Sequence, residues 1–326
     1  MAERARWEKA ARRIARAVVC LARSTLALTV IERVAPRYAR LALHAGGGLL
    51  PRAIRTFPER VADLIGDSRS AEETRRLIEA RLAFLLVRAL VTQLFIAYGP
   101  AEAWRRLGAV SIDGGDHLEA ALDARRGVIL VSAHLGLPLL VDLAVEHLGV
   151  PVTGVGRATA EYADVLVGRD VWDRARAMQQ LREELGPDRA CLLLADARHT
   201  PYPEAKFLGG RVPVAPGAFV LAQITRCPLL PVFAVYSRNP PRFRVEFGPA
   251  LEVPDRSLGA RPTEAIADFV RRYEALAALY PDNLFAAETL FTPRRGDPLV
   301  ERRAHGRALS SRESGGRAPR SRSARR

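Results

Sequence analysis

One histidine, His134, lies in a predicted turn between a strand and a helix, where it could act as a base beside backbone hydrogen-bond donors. His134 follows the apolar, β-branched run 127–133, and Pro138 opens a helical pattern that ends before Gly149. The run, the turn and the pattern predict strand, turn and helix. In such a turn a histidine can take a proton from an alcohol, while nearby N–H groups stabilise the oxyanion of an attacked thioester. On this motif alone, a histidine with a purely structural hydrogen bond is an equal alternative.

The elements around His134 predict an α/β fold. Short apolar runs alternate with helical patterns, and this alternation is typical of a mostly parallel central sheet flanked by helices. The first hundred residues read as helical, including an apolar segment, 80–98, that we expect to be buried. We therefore predict a helical N-terminal region at 1–100, an α/β domain at 101–293 and a disordered Arg-rich tail at 294–326. The runs predicted as strands are 127–133, 151–155, 190–195, 229–236 and 242–247.

The composition and charge of the chain limit the kinds of partner that it could bind. The chain of 326 residues has a formal net charge of +14, and its tail holds eleven arginines. The tail has no aromatic residue for stacking on bases, and neither a helix-turn-helix nor a zinc pattern occurs, so nucleic acid is a poor candidate partner. An anionic membrane surface suits the tail better. The three cysteines lack C-x-x-C spacing, so neither a disulfide framework nor a metal site is predicted.

The N-terminal segment 14–31 is apolar but contains Arg16 and Arg23. An arginine in the middle of a membrane-spanning helix costs about 2.5–3.5 kcal/mol, whereas an interfacial helix keeps it among the headgroups. A signal peptide is not indicated, because no small-residue cleavage site follows. We expect a retained helix that lies on the membrane from the cytoplasmic side. A helix packed on the protein itself is the alternative.

The turn at His134 also carries a family resemblance. Residues 132–136 resemble the start of the H-x-x-x-x-(D/E) core of the lipid A lauroyl and myristoyl acyltransferases, within the lysophospholipid acyltransferase superfamily. Five further blocks follow in the family's order, and the resemblance spans roughly residues 100–292. These blocks are 154–157, 193–196, 206–212 with 216–218, 227–233 and 280–283.

The resemblance implies an acyltransferase at the cytoplasmic face of the bacterial inner membrane. His134 matches the general base, and acyl carrier protein or coenzyme A would deliver the thioester to a lipid or glycolipid hydroxyl, without metal or other cofactor. Arg157 and Asp196 match substrate-binding positions, although a surface arginine and a turn or capping aspartate are the plain alternatives. The Gly- and Pro-rich segment 207–217 could bind a phosphate or phosphopantetheine arm, or merely connect two elements. Its candidate residues, with the preceding lysine, are Lys206, Gly209, Gly210, Arg211 and Gly217.

The expected acid is missing from the motif. Where the family has a Glu or Asp, this chain has Leu139, which can neither orient an imidazole nor stabilise its cation. Asp142 lies about one helical turn further along and is the tentative acid, although with Glu146 it also fits a solvated stripe. Two hypotheses follow: an acyltransferase with a relocated acid, and a catalytically impaired protein that binds lipid or acyl carrier.

Overall fold

A computed structural model of the protein describes residues 24–65, 69–157, 165–167, 171–196, 204–254 and 261–284. The predicted membrane segment 14–31 lies in this part of the chain only from Ser24 onward. The predicted disordered tail, 294–326, lies outside it.

The described residues of the predicted helical region 1–100 are mostly helical. Its longest helix, α4, begins with a capping box in which Ser70 and Glu73 bond to each other's backbone N–H groups, and Gly99 interrupts its regular geometry. By length and composition α4 could span a membrane, but core helices meet the same criterion. Segment 80–98 is buried only in part, because Phe84 packs against the sheet but residues 96–98 are exposed. The helices are α1 (Ser24–His44), α2 (Arg52–Arg55), α3 (Phe57–Ile65) and α4 (Ala71–Leu107).

The rest of the described chain forms a seven-stranded sheet in the order β1-β9-β8-β2-β5-β3-β4. Strands β8, β2, β5, β3 and β4 run parallel to one another, and β9 is antiparallel to β8. The predicted, mostly parallel sheet is therefore confirmed. Its strands are β1 (Val110–Asp113), β2 (Val128–Ser132), β3 (Val152–Arg157), β4 (Val165–Val167), β5 (Ala190–Leu194), β8 (Leu229–Tyr236) and β9 (Phe243–Phe247).

Helices cover both faces of the sheet because its central strands are apolar on both sides. In β2, Ile129 and Val131 face one core with α8 and α9, while Val128 and Leu130 face the other with α4 and α6. Leu28 of α1 joins the second core, so the described part of region 1–100 packs onto the sheet directly. The helices that follow β1 are α5 (Gly115–Asp123), α6 (Pro138–His147), α7 (Val171–Glu184), α8 (Gly217–Thr225) and α9 (Thr263–Leu279).

Three elements differ from the sequence-based expectation. The short edge strands β1 and β4 were not predicted, and β4 falls inside a segment, 162–185, that reads as helical. A strand of three or four residues is too short to show its own periodicity. The Gly- and Pro-rich segment forms most of an antiparallel hairpin of β6 (Glu204–Phe207) and β7 (Gly210–Pro213).

Candidate active site

The turn that carries His134 is fixed to the carboxyl end of β8. Gly136 has φ +65° and pairs with Ala234, whose carbonyl oxygen would lie 1.8 Å from a Cβ at position 136. The N–H of Leu137 donates to that same carbonyl at 2.8 Å. A glycine is therefore required where the chain leaves β2, because any side chain would collide with the backbone of the neighbouring strand.

Asp196 reaches this turn from the opposite neighbour, β5. Strands β2 and β5 are in register with Ser132 opposite Leu194, and Ala195 N–H donates to the Ser132 carbonyl at 2.8 Å. Both Asp196 and His134 thus stand two residues beyond a paired position. The backbone N–H of His134 donates to both carboxylate oxygens at 2.7 and 2.8 Å, and its Nδ1 lies 2.8 Å from Oδ1.

Tyr273 of α9 completes the surroundings of the carboxylate. Its hydroxyl donates to Asp196 Oδ2 at 3.3 Å, and its ring packs against Phe207 with centroids 4.5 Å apart. Burial and the adjacent carboxylate of Asp196 raise the pKa of the Tyr273 phenol well above its ordinary value. The phenol therefore stays protonated at physiological pH and remains a donor. Asp196 is held by a backbone N–H, an imidazole and a phenol.

The contact fixes which ring nitrogen of His134 can act as a base. An ionised carboxylate only accepts hydrogen bonds, so Nδ1 carries the hydrogen and Nε2 keeps the lone pair. The side chain of Asp196 is 1% exposed, whereas that of His134 is 36% exposed. A buried carboxylate thus orients a solvent-accessible imidazole, which is the arrangement that general-base catalysis requires.

The turn offers fewer oxyanion donors than its sequence suggests. The N–H of His134 binds Asp196, that of Gly136 donates to the Asn283 carbonyl at 2.9 Å, and that of Leu137 donates to Ala234. These three groups hold the turn in place and are not available to a reacting carbonyl. The expectation that donors in this turn stabilise an oxyanion is therefore wrong for these three N–H groups.

The predicted acid, Asp142, lies half-buried in α6. Leu139, which replaces the family's acid, is 8% exposed and belongs to the core between α6 and the sheet. The contact expected of the acid, a hydrogen bond to Nδ1 of His134, is made instead by Asp196. Asp142 as acid stays a prediction, and Asp196 has a role in orienting His134 that the sequence analysis did not assign to it.

The remaining predicted residues lie along the same edge of the sheet or on the hairpin. The backbone of Arg157 ends β3, the strand beside β5, and Gly217 opens α8. Lys206 and Arg211 are exposed cross-strand partners in the hairpin, and Arg211 also lies 3.6 Å from Glu204. The hairpin leads into Val214, which bridges to Asp196. It therefore borders the site.

Gly209 of the hairpin has a structural explanation. A Cβ at position 209 would lie 2.6 Å from the Leu64 carbonyl oxygen, which accepts the Gly209 N–H. The next residue, Gly210, opens β7. Gly209 lets the hairpin pack closely against the end of α3. Its presence is therefore explained by a segment that merely connects two elements, without a bound ligand.

Sequence reasoning missed Tyr273. It lies with Ala265, Phe269 and Leu276 on the buried stripe of α9, where an aromatic residue is typical of the core. Only its hydroxyl distinguishes it, because a buried phenol usually has a hydrogen-bond partner. Among the described residues, no group of three or more His, Cys, Asp or Glu side chains is arranged to hold a metal ion.

A comparison of the sequence with models of known protein families gives a match over most of the chain. A family model described as bacterial lipid A biosynthesis acyltransferase matches residues 25–273. The match includes His134, Asp196 and Tyr273, together with every strand of the sheet. No curated protein matches the chain.

Proposed function

Since this chain belongs to the bacterial lipid A biosynthesis acyltransferase family, we propose that it transfers a fatty acyl chain from a thioester to a hydroxyl of a lipid or glycolipid. His134 is the general base, and Asp196 is the acid that orients it. The observation that carries this proposal is the 2.8 Å contact between His134 Nδ1 and the buried carboxylate.

The reaction follows from that contact. Nε2 of His134 takes the proton of the acceptor hydroxyl as its oxygen attacks the thioester carbonyl. The tetrahedral intermediate then expels the thiolate, the carbon–sulfur bond breaks, and the imidazolium returns its proton to the sulfur. Asp196 holds the ring in the productive tautomer and stabilises the transient positive charge. Acyl carrier protein or coenzyme A is the proposed donor, and no metal or other cofactor is needed.

The alternative is a catalytically impaired protein that binds lipid or acyl carrier. It was motivated by Leu139, because a leucine cannot act as the dyad's acid. The Asp196 contact favours the active enzyme, since a carboxylate with the required geometry reaches His134 from β5. Lack of acyl transfer with intact lipid binding would favour the alternative.

Lys206 and Arg211 are proposed to bind the phosphates of the donor or acceptor. They stand directly opposite each other in the β6–β7 hairpin. Like charges in that arrangement repel and destabilise the pair. A bound phosphate would relieve the repulsion more fully than Glu204 does. Arg157, at the end of β3, is proposed to contribute from the same edge of the sheet.

The protein is proposed to lie on the anionic cytoplasmic face of the inner membrane. Helix α1 exposes an apolar stripe at helical spacing, with Leu26 57%, Val34 53% and Leu41 69% exposed. Arg33 and Arg37 are exposed beside it. An apolar stripe bordered by cations matches an interfacial helix in a membrane with acidic lipids.

Vesicle binding tests this membrane surface. We expect the double variant Val34→Glu/Leu41→Glu to bind vesicles of phosphatidylglycerol and phosphatidylethanolamine at least tenfold more weakly than the wild type. Leu279→Glu is the control, because Leu279 is 72% exposed and belongs to α9, a different helix. Equal binding by the double variant and the wild type would exclude α1 as the membrane surface.

Acyl transfer itself is tested with purified full-length protein. We would supply long-chain acyl carrier protein or acyl-coenzyme A with bacterial lipid extract, and follow both thiol release and lipid mass. The proposal predicts a new acylated lipid that is absent with His134→Ala. Thiol release without a lipid product would indicate a thioesterase instead. Indistinguishable wild type and variant would remove the support for transferase activity.

A further inference from the structure

Asn283 joins two elements at the edge of the sheet. It ends a short 3-10 turn, Pro281–Asn283, and is fully buried. Its side-chain amide donates to the Tyr236 carbonyl at 2.9 Å, and its Oδ1 accepts the Tyr236 N–H at 2.8 Å. Asn283 therefore pairs with the last residue of β8 as the peptide of an adjacent strand would.

The main chain of Asn283 binds the turn that carries His134. Its carbonyl accepts the Gly136 N–H at 2.9 Å, and Leu284 forms an antiparallel bridge with Leu135. The side chain of Asn283 is thus hydrogen-bonded to β8, while its main chain is hydrogen-bonded to the turn. Asp196 holds this turn from β5, and Asn283 holds it from the opposite side.

The 3-10 turn is itself anchored on α4. Arg81 is 7% exposed, and its Nη1 donates to the Asp282 carbonyl at 2.8 Å. Its guanidinium lies over the Phe57 ring, 4.3 Å from the centroid. Arg81 is thus a buried cation that packs on an aromatic ring and binds the main chain of the 3-10 turn, and it fixes the position of Asn283.

We propose that Asn283 is a positioning residue that sets the direction of the His134 ring by clamping its turn to β8. This proposal rests on the proposed role of His134 as the base. Removal of the amide leaves two buried main-chain groups of Tyr236 without their partner. It also removes one of the anchors of the turn on β8 and leaves the bond of Leu137 to Ala234 as the other, so the turn can shift. A displacement of about 1 Å at a reacting group lowers the rate by about 100-fold.

The test compares Asn283→Ala with Gln223→Ala. Gln223 is also a buried amide bonded to main chain, here the Pro254 carbonyl at 3.0 Å, and it lies in α8, outside the 3-10 turn. For Asn283→Ala we expect kcat to fall 10- to 100-fold with KM within about threefold. For Gln223→Ala we expect kcat within about threefold. Equal losses in both variants, or a higher KM with unchanged kcat, would overturn the positioning role.

A second readout does not require activity. Amide hydrogen exchange at Leu135, Gly136 and Leu137 should be at least tenfold faster in Asn283→Ala than in the wild type or Gln223→Ala. Unchanged exchange would refute the clamp even if the wild type proved inactive, whereas inactivity alone would refute only the proposed function. If Asn283→Ala does not fold, Arg81→Met should produce the same changes at smaller size, and their absence would refute the clamp.

Discussion

The two flanks of His134 differ in what they supply. On the α6 flank, Leu139 occupies the place of the family's acid and is buried in the core. On the β5 flank, Asp196 accepts hydrogen bonds from the imidazole, the backbone of His134 and Tyr273. Adjacent parallel strands end at one edge of a sheet, so either flank can place a carboxylate near the same turn. Whether a carboxylate lies near His134 therefore depends more on which strands end beside the turn than on the number of residues that separate it from His134 in the sequence.

The largest expected effect comes from the residue that both flanks surround. His134→Ala should lower kcat about 10⁴-fold, because no other group on the turn can take the proton of the acceptor hydroxyl. Steady-state transfer of labelled acyl chains measures the loss. His147→Ala, which removes an exposed histidine of α6, is the control and should retain activity. A loss below tenfold for His134→Ala would contradict the assignment of the base.

Breaking the β5 flank should give the next largest effect. Asp196→Asn keeps the size of the side chain but replaces its acceptor-only carboxylate with an amide that can donate to Nδ1. The ring then favours the wrong tautomer, and kcat should fall about 10³- to 10⁴-fold, the upper value being that of serine protease triads. Acyl transfer by the folded variant, checked by circular dichroism, measures the effect. Activity near the wild-type level would show that Asp196 is dispensable.

Tyr273→Phe sharpens the account of the same flank. The change removes one buried hydrogen bond of 3.3 Å to Asp196 and preserves the ring packing. A hydrogen bond to a charged group contributes about 1.5–3 kcal/mol, so kcat should fall roughly 10- to 150-fold. The ratio of kcat for the variant and the wild type measures it. A loss equal to that of Asp196→Asn would mean that the phenol has a direct role in the reaction.

The α6 flank should give the smallest effect. Asp142→Asn is expected to change kcat by less than about twofold, because the orienting contact to His134 belongs to Asp196. The same transfer assay decides it, with Asp196→Asn measured in parallel. A loss of 100-fold or more in Asp142→Asn, together with a mild effect of Asp196→Asn, would restore Asp142 as the acid.

The sheet was predictable from the sequence, and so was the position of His134 just beyond a strand, whereas the contact of His134 with Asp196 was not. The apolar runs located β2, β3, β5, β8 and β9, and the strand, turn and helix pattern located His134. The order and register of the strands cannot be derived from the sequence, so it does not reveal that β5 is the neighbour of β2 or that Ser132 lies opposite Leu194. Without that register, a strand-end aspartate and a helical aspartate are equally reasonable partners. The sequence offers Asp142 only as a tentative acid, because spacing along a helix is visible in sequence and pairing between strands is not.

The roles of Tyr273 and Asn283 could not be predicted from the sequence for a related reason. Both are fully buried, and their roles depend on hydrogen bonds to residues more than forty positions away in the chain. Tyr273 occupies a core position of α9, where its ring explains its presence. Asn283 was recognised only as part of a family block, because its pairing with Tyr236 requires the fold.

The most direct test of the central claim is the tautomer of His134, read from ¹⁵N chemical shifts of its ring nitrogens in protein labelled with ¹⁵N-histidine. His134→Ala identifies the signals, and the measurement is made on the wild type and on Asp196→Asn at a pH where the ring is neutral. The account predicts a hydrogen on Nδ1 in the wild type and a shift toward the Nε2–H form in Asp196→Asn. An Nε2–H tautomer in the wild type, or the same tautomer in both proteins, would contradict Asp196 as the residue that orients the base.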